Sequence, residues 1–304
     1  MASDRSPVQQ VKIETKDGIV LHCRTVGSGA QKVVIPAATS IGTELDSLSD
    51  GRELIFYDMR NRGLSSTVDM NQISIQHDIH DLEAVRDHFK AETISLIGWS
   101  VCGLLVAAYA FEHPENIERV IQICPGPPRY MVPDLSPIMD AEPPVLDKTK
   151  YMSILERFQR GEDLQNPVAF NKEYWEFFLP ILIADASKIS LFKIPAADIK
   201  NELVSYMFRT NAQIANSLGA DYDYRHRAAN FTSPVLTIHG DKDYSSTYSI
   251  NKEWAISFAN GRLLTVEGAA HMPFIEQSEL VISAMDCFLK GAWPESAKVV
   301  RATV

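Results

Sequence analysis

Six short runs of apolar, largely β-branched residues recur along the 304-residue chain, and they restrict its fold more than any other feature. They are Lys32-Val33-Val34-Ile35, Glu53-Leu54-Ile55-Phe56-Tyr57, Thr93-Ile94-Ser95-Leu96-Ile97, Arg119-Val120-Ile121-Gln122-Ile123, Pro234-Val235-Leu236-Thr237-Ile238 and Arg262-Leu263-Leu264-Thr265-Val266. A strand that is apolar on both sides needs cover on both sides, which is the situation of a parallel sheet flanked by helices. Intervening segments supply the helices. Ile75, Ile79, Leu82, Val85 and Phe89 form one stripe, and Val101 to Phe111 is apolar nearly all round. Leu280, Val281, Ala284, Met285, Phe288 and Leu289 form a last apolar face. The start of the chain reads differently. Val11–Thr15 and Ile19–Arg24 alternate around Asp17-Gly18, a hairpin turn signal. An antiparallel start followed by strand–helix repeats predicts an α/β fold, a mostly parallel sheet with helices on both faces.

One segment breaks the rhythm. From Pro125 to Thr232 no strand–helix alternation is visible, and helical stretches fall near Met152–Arg160, Lys172–Leu179 and Ile199–Leu218. The division expected is a core of residues 1–124 and 233–304, with 125–232 inserted as a helical cap. A chain this long buries about 75% of its unfolded surface and needs no disulfide or metal staple. Its net charge of −10, with no block of Lys and Arg, speaks against nucleic acid and against an anionic membrane surface. Cys23, Cys102, Cys124 and Cys287 form no CxxC pair, Met1–Pro7 lacks a signal-peptide core, and Leu104–Phe111 is too short to span a bilayer. A cytoplasmic protein is the expectation. Oligomeric state is not legible here.

The chemistry concentrates at strand ends. Gly98-Trp99-Ser100-Val101-Cys102-Gly103 joins an apolar strand to an apolar helix, and this stretch resembles the nucleophile elbow G-x-S-x-G of the α/β-hydrolase family, with Cys102 in place of a glycine. Glu267-Gly268-Ala269-Ala270-His271-Met272-Pro273-Phe274-Ile275-Glu276 resembles that family's histidine loop, so His271 is the expected base. His239-Gly240-Asp241-Lys242-Asp243 stands where the family places its acid. The usual spacing selects Asp243 over Asp241, whose ordinary role is that of a turn residue. The order serine, acid, histidine agrees with the resemblance. For a developing oxyanion the resemblance implies two backbone donors. Val101 is one. The second belongs in Pro36-Ala37-Ala38-Thr39, where the usual His-Gly is absent; Ala38 is preferred, with Ala37 and Thr39 as alternatives. Asp58-Met59-Arg60-Asn61-Arg62-Gly63-Leu64-Ser65 is similar to the family's D-x-R-G-x-G-x-S loop, and a structural role is expected for Asp58 and Arg60.

A serine at the elbow suits esters, lactones, amides or certain carbon–carbon bonds, and an esterase or lactonase working on a small molecule is the broadest reading. Two rivals stand beside it. The cap and Tyr174-Trp175-Glu176 are somewhat similar to proline iminopeptidases, in which Glu173 or Glu176 would hold a substrate amine. A ligand receptor that keeps the pocket without turnover is the other, prompted by Cys102 and the altered oxyanion segment. Tyr130, Trp175, Phe177 and Phe178 are pocket candidates whose ordinary role is core packing, and Trp99 faces either the sheet or the site. His77, His80 and Cys102 are read as structural. No cofactor and no metal are implied, because neither a ligand cluster nor a phosphate-binding glycine loop is present.

Overall fold

A computed structural model describes residues 8–41, 43–132, 139, 146–192 and 201–301, the side chains of 201–208 excepted. The hairpin is formed by β1 (Val8–Glu14) and β2 (Val20–Gly27), with Glu14 opposite Val20. Gly18 closes the turn at φ +81°, a conformation glycine enters without steric cost. Then come β3 (Gln31–Pro36), β4 (Arg52–Tyr57), β5 (Ile94–Trp99), β6 (Ile117–Ile123), β7 (Val235–Gly240) and β8 (Gly261–Val266). They make one eight-stranded sheet in the order β1-β2-β4-β3-β5-β6-β7-β8. β2 pairs antiparallel to β4, and every pairing from β4 onward to β8 is parallel.

The continuous apolar runs follow from the layers. Val34, Ile55, Leu96, Val120 and Val235 join one core, against the helices Ile75–His88 and Val101–Glu112. Their neighbours Val33, Leu54, Ile97, Ile121 and Leu236 point the other way, into a second core with Val281, Met285 and Phe288 of the helix Ser278–Leu289. Alternate residues of a strand face opposite sides of the sheet, so both sets must be apolar.

A helix without an evident stripe, Tyr248–Ser257, lies between β7 and β8. It buries Ile250, Trp254 and Ala255 together with the polar Asn251. The residues after Trp293 run along the outer edge of β8. Leu263 and Lys298 exchange backbone hydrogen bonds of 2.9 and 2.8 Å, and Ala297 is buried. A sheet edge otherwise exposes unpaired amides, and this segment occupies it.

Between β6 and β7 stand the helices Lys148–Gln159, Glu162–Gln165, Pro167–Leu182, Asn201–Leu218 and Arg225–Asn230. The Pro167–Leu182 helix is capped by Asn166, whose side chain accepts from Ala169 N, and Pro167 follows with its φ already suited to the first turn. It runs past the expected end at Leu179, through Pro180. Ile154, Phe170, Phe177 and Ile181 make a small core of their own, whereas Leu179, Ile183 and Phe192 pack into the sheet-side core. Parts of the expected cap segment, 133–138, 140–145 and 193–200, fall outside the described residues. Among the described residues no helix is long and apolar enough to cross a membrane.

Candidate active site

At the end of β5 the chain turns sharply into the helix Val101–Glu112. Ser100 sits on that turn at φ 57°, ψ −125°, a conformation in which only glycine is comfortable. Its amide donates to Ile123 O at 2.9 Å, which ties the turn to β6. The close approach explains the glycines: a Cβ on Gly98 would lie 2.2 Å from Cys102 O, and one on Gly103 would lie 2.9 Å from Pro125 Cβ. Cys102 is tolerated where a glycine was expected, and its side chain is buried against the cavity. Burial pushes its thiol up to about 12, so it stays protonated near neutral pH and is a poor nucleophile.

His271, Asp243 and Ser100 come from three separate strand ends and meet. His271 Nδ1 lies 2.7 Å from Asp243 Oδ2, and Nε2 lies 3.0 Å from Ser100 Oγ. With Nδ1–H given to the carboxylate, Nε2 is left as an acceptor for the serine hydroxyl. Asp243 Oδ1 accepts from Ser245 N at 2.8 Å, Ser245 Oγ at 2.9 Å and Ser246 N at 3.0 Å. Burial works to raise its carboxyl, but the neighbouring His271 and these donors outweigh it and hold it below the usual aspartate value. The loop is pinned from below. Asn251 Nδ2 donates to Ser246 O at 2.8 Å, and Ser246 Oγ donates to Pro125 O at 2.6 Å. Asp241 points elsewhere, accepting from Gly268 N at 2.7 Å as a turn residue would. Trp99 takes both alternatives considered for it: it packs in the sheet-side core and lines the cavity, where its indole N–H donates to His271 O at 2.8 Å.

Across the cavity, Ala37 follows β3 at φ 70° and Ala38 opens the short helix Ala38–Ile41. A first helical amide has no intrahelical acceptor, which leaves Ala38 N–H for another partner. The Thr39 amide is committed, donating to Asp58 Oδ1 at 2.9 Å. Asp58 Oδ2 accepts from Thr39 Oγ1 at 2.6 Å and Leu64 N at 3.1 Å. Gly63 (φ +53°) is required here, since its Cβ would stand 2.2 Å from Asp58 Cγ. Arg60 is buried in a two-pronged pair with Asp81 at 2.9 and 2.5 Å, and Arg62 pairs likewise with Asp78 at 3.1 Å through each nitrogen. Arg60 matches the structural role expected of it. Asp58 does more than that, because its carboxylate joins two loops at the cavity wall.

The cavity above Ser100 measures about 330 Å³. Trp99, Tyr174, Trp175, Phe178, Ile181 and Leu182 make it mainly apolar. Of the other aromatic candidates, Tyr130 is largely exposed and Phe177 belongs to the inner core of the helical segment. Glu173 is bound through both oxygens to Arg157 at 2.9 Å, and Glu176 pairs with Lys172; neither lines the cavity. His77 accompanies Ser74 at the start of its helix, at 2.8 Å, and His80 is beside Gln76. Among the described residues the one group able to hold a metal is Cys124, Asp243 and His271, and two of those three already bond to each other. Reading the sequence missed Ser245 and Asn251, whose partners come from other loops or helix turns.

Sheet, elbow and histidine loop together define a hydrolase-type α/β protein with a serine at its nucleophile position. The chain belongs to the α/β-hydrolase fold family, which matches residues 38–278. The biotin biosynthesis bifunctional protein BioHC of Teredinibacter turnerae is 26% identical over 84% of this chain, which spans only 42% of that protein's length. A proline iminopeptidase of Lactobacillus helveticus is 25% identical, covering 81% of this chain and 83% of its own. A solved structure of an esterase from Exiguobacterium antarcticum has the same fold, with a TM-score of 0.71 at 20% identity, covering 93% of this chain and 100% of the other.

Proposed function

We propose that this protein is a serine carboxylic ester hydrolase acting on a small uncharged ester or lactone. The observation that carries the reading is the hydrogen-bonded line from Ser100 Oγ through His271 to Asp243, with distances of 3.0 and 2.7 Å. Ser100 Oγ attacks the carbonyl carbon while its proton passes to His271 Nε2. Asp243 holds the imidazole tautomer and stabilises the imidazolium. The Val101 and Ala38 amides take the oxyanion. The imidazolium then protonates the departing alcohol and leaves an acyl-enzyme. Water, giving its proton to His271, releases the acid and restores the serine. The helices between β6 and β7 serve as a cap whose aromatic wall receives the apolar part of the substrate.

Peptidase relatives favour a second reading, a proline iminopeptidase. That chemistry needs a carboxylate free to hold a substrate amine. Glu173 and Glu176 are tied to Arg157 and Lys172, and Asp58 is already filled by three donors. The ester reading therefore stands first.

Fluorophosphonate labelling followed by peptide mapping tests it, on wild type and Ser100→Ala. A label on Ser100, lost in the variant together with ester turnover, is the expected result. Folded wild type that takes no label and turns over no ester would instead make the protein a ligand-binding homologue, and faster turnover of prolyl amides than of esters would favour the peptidase.

A further inference from the structure

Glu276 lies five residues beyond His271 and is 2% exposed. Its carboxylate partners are all backbone amides. Oε1 accepts from Ala184 N at 2.7 Å and Asp185 N at 3.0 Å, and Oε2 accepts from Ala270 N at 2.6 Å. Ala270 immediately precedes His271. Ala184 and Asp185 leave the Pro167–Leu182 helix, which carries Trp175, Phe178, Ile181 and Leu182 into the cavity wall. Lys188, slightly further on, adds a hydrogen bond from its ammonium to Glu276 O.

A buried carboxylate is costly to desolvate, and here three backbone amides offset that cost; an apolar side chain in its place would leave them without an acceptor. Three amides, aimed at two oxygens of one rigid group, fix the histidine loop and the exit of the cavity helix against each other. We infer that Glu276 is a positioning residue that couples the seating of the helical segment over the cavity to the alignment of His271 with Ser100 and Asp243. The inference rests on the hydrolase reading above.

The split between kcat and KM is the sharpest readout. A misaligned His271 slows the chemical step in every folded molecule and lowers kcat with little change in KM, whereas a loss of packing alone lowers only the amount of folded enzyme.

The test is steady-state hydrolysis of a p-nitrophenyl ester by full-length wild type, Glu276→Gln and Glu276→Ala, with thermal melting of each. In Glu276→Gln the amide nitrogen must face a backbone N–H, so the conservative variant does not rescue. We expect kcat to fall about tenfold in the folded variants, with KM changed by less than about twofold. The pair Asp185→Pro and Asp185→Ala covers the case in which Glu276 variants do not fold. The φ of Asp185, −89°, is near what proline demands, and the two variants differ in that they lack or keep one donor to Glu276. Proline is expected to lower kcat several-fold relative to alanine. Wild-type kcat in the folded variants would overturn the proposal, as would activity lost only in proportion to unfolded protein. Wild type that fails to take a fluorophosphonate label would sink the hydrolase reading itself, and this coupling with it. Labelled wild type beside unaffected variants would overturn the coupling alone.

Discussion

The two sides of Ser100 are held in different ways. On the histidine side, separate elements each fix a piece of one loop: Trp99 the His271 carbonyl, Glu276 the Ala270 amide, Asp241 the Gly268 amide, and Lys242 N the Ala269 carbonyl at 2.9 Å. On the oxyanion side a single carboxylate, Asp58, grips Thr39 by both its amide and its hydroxyl and reaches Leu64 as well. One side is redundant and the other hinges on one group. The difference teaches where this chain departs from its family's pattern. Having alanines where the resemblance leads one to expect His-Gly, it turns the backbone at Ala37 with φ 70° and fastens the next residues from outside. Strained backbone persists only where its surroundings over-determine it, and Asp58 supplies that restraint.

The comparison breaks most severely at the carboxylate behind the histidine. Asp243→Asn is expected to lower kcat by about 10⁴, through loss of the correct tautomer, while Asp241→Asn leaves turnover within about threefold. The same variant carries a pH signature. The Asp243 carboxyl is lowered in the folded protein from an ordinary value of 3.8. A depressed carboxyl contributes stability that is fully present above its unfolded value and is lost as pH falls through the folded one. Acid unfolding followed by circular dichroism should therefore show a shallower fall in stability below about pH 4 for Asp243→Asn than for wild type.

The oxyanion side is next. Asp58→Asn turns one of its oxygens into a donor facing Thr39 or Leu64, and kcat is expected to fall by about 10² with little change in KM. A boronic acid, which forms a tetrahedral adduct on the serine, should lose affinity in parallel. Equal losses in kcat and in affinity for an unreactive ketone would show instead that Asp58 merely shapes the cavity. The smallest effect is expected from Trp99→Phe. It removes one neutral hydrogen bond among several that fix the histidine loop, and is expected to change kcat by less than about fivefold, the equivalent of ~1 kcal/mol. A loss as large as that of Asp58→Asn would mean that the redundancy is only apparent.

Much of this was legible before any coordinates. Ser100, Asp243 and His271 each follow an apolar strand within a few residues, and the resemblance of those stretches to the family's motifs implies that they act together. What stayed hidden depends on contacts that skip along the chain. Asp58 and Thr39 are neighbours because β3 and β4 lie side by side, a pairing that no local spacing reveals. The role of Glu276 is not visible in the sequence, because its amide partners at Ala184 and Asp185 come from a segment with no periodic link to it. The helix Tyr248–Ser257 escaped notice because Asn251 interrupts its apolar face in order to anchor the acid loop. The segment after Trp293 pairs backbone with backbone, which leaves no side-chain signature in the sequence.

The elbow has a thermal consequence as well. Holding a residue with a Cβ at φ 57°, ψ −125° costs the folded state about 1–3 kcal/mol, and the unfolded chain is free of that cost. Glycine at this position would relieve the strain, against an entropic penalty of about 0.5–1 kcal/mol. An inactive Ser100→Gly protein should therefore melt at or above the temperature of the active one. On the proposed function, heat resistance and competence are opposed at a single residue, and a screen that selects only for higher melting temperature would tend to discard the proposed nucleophile.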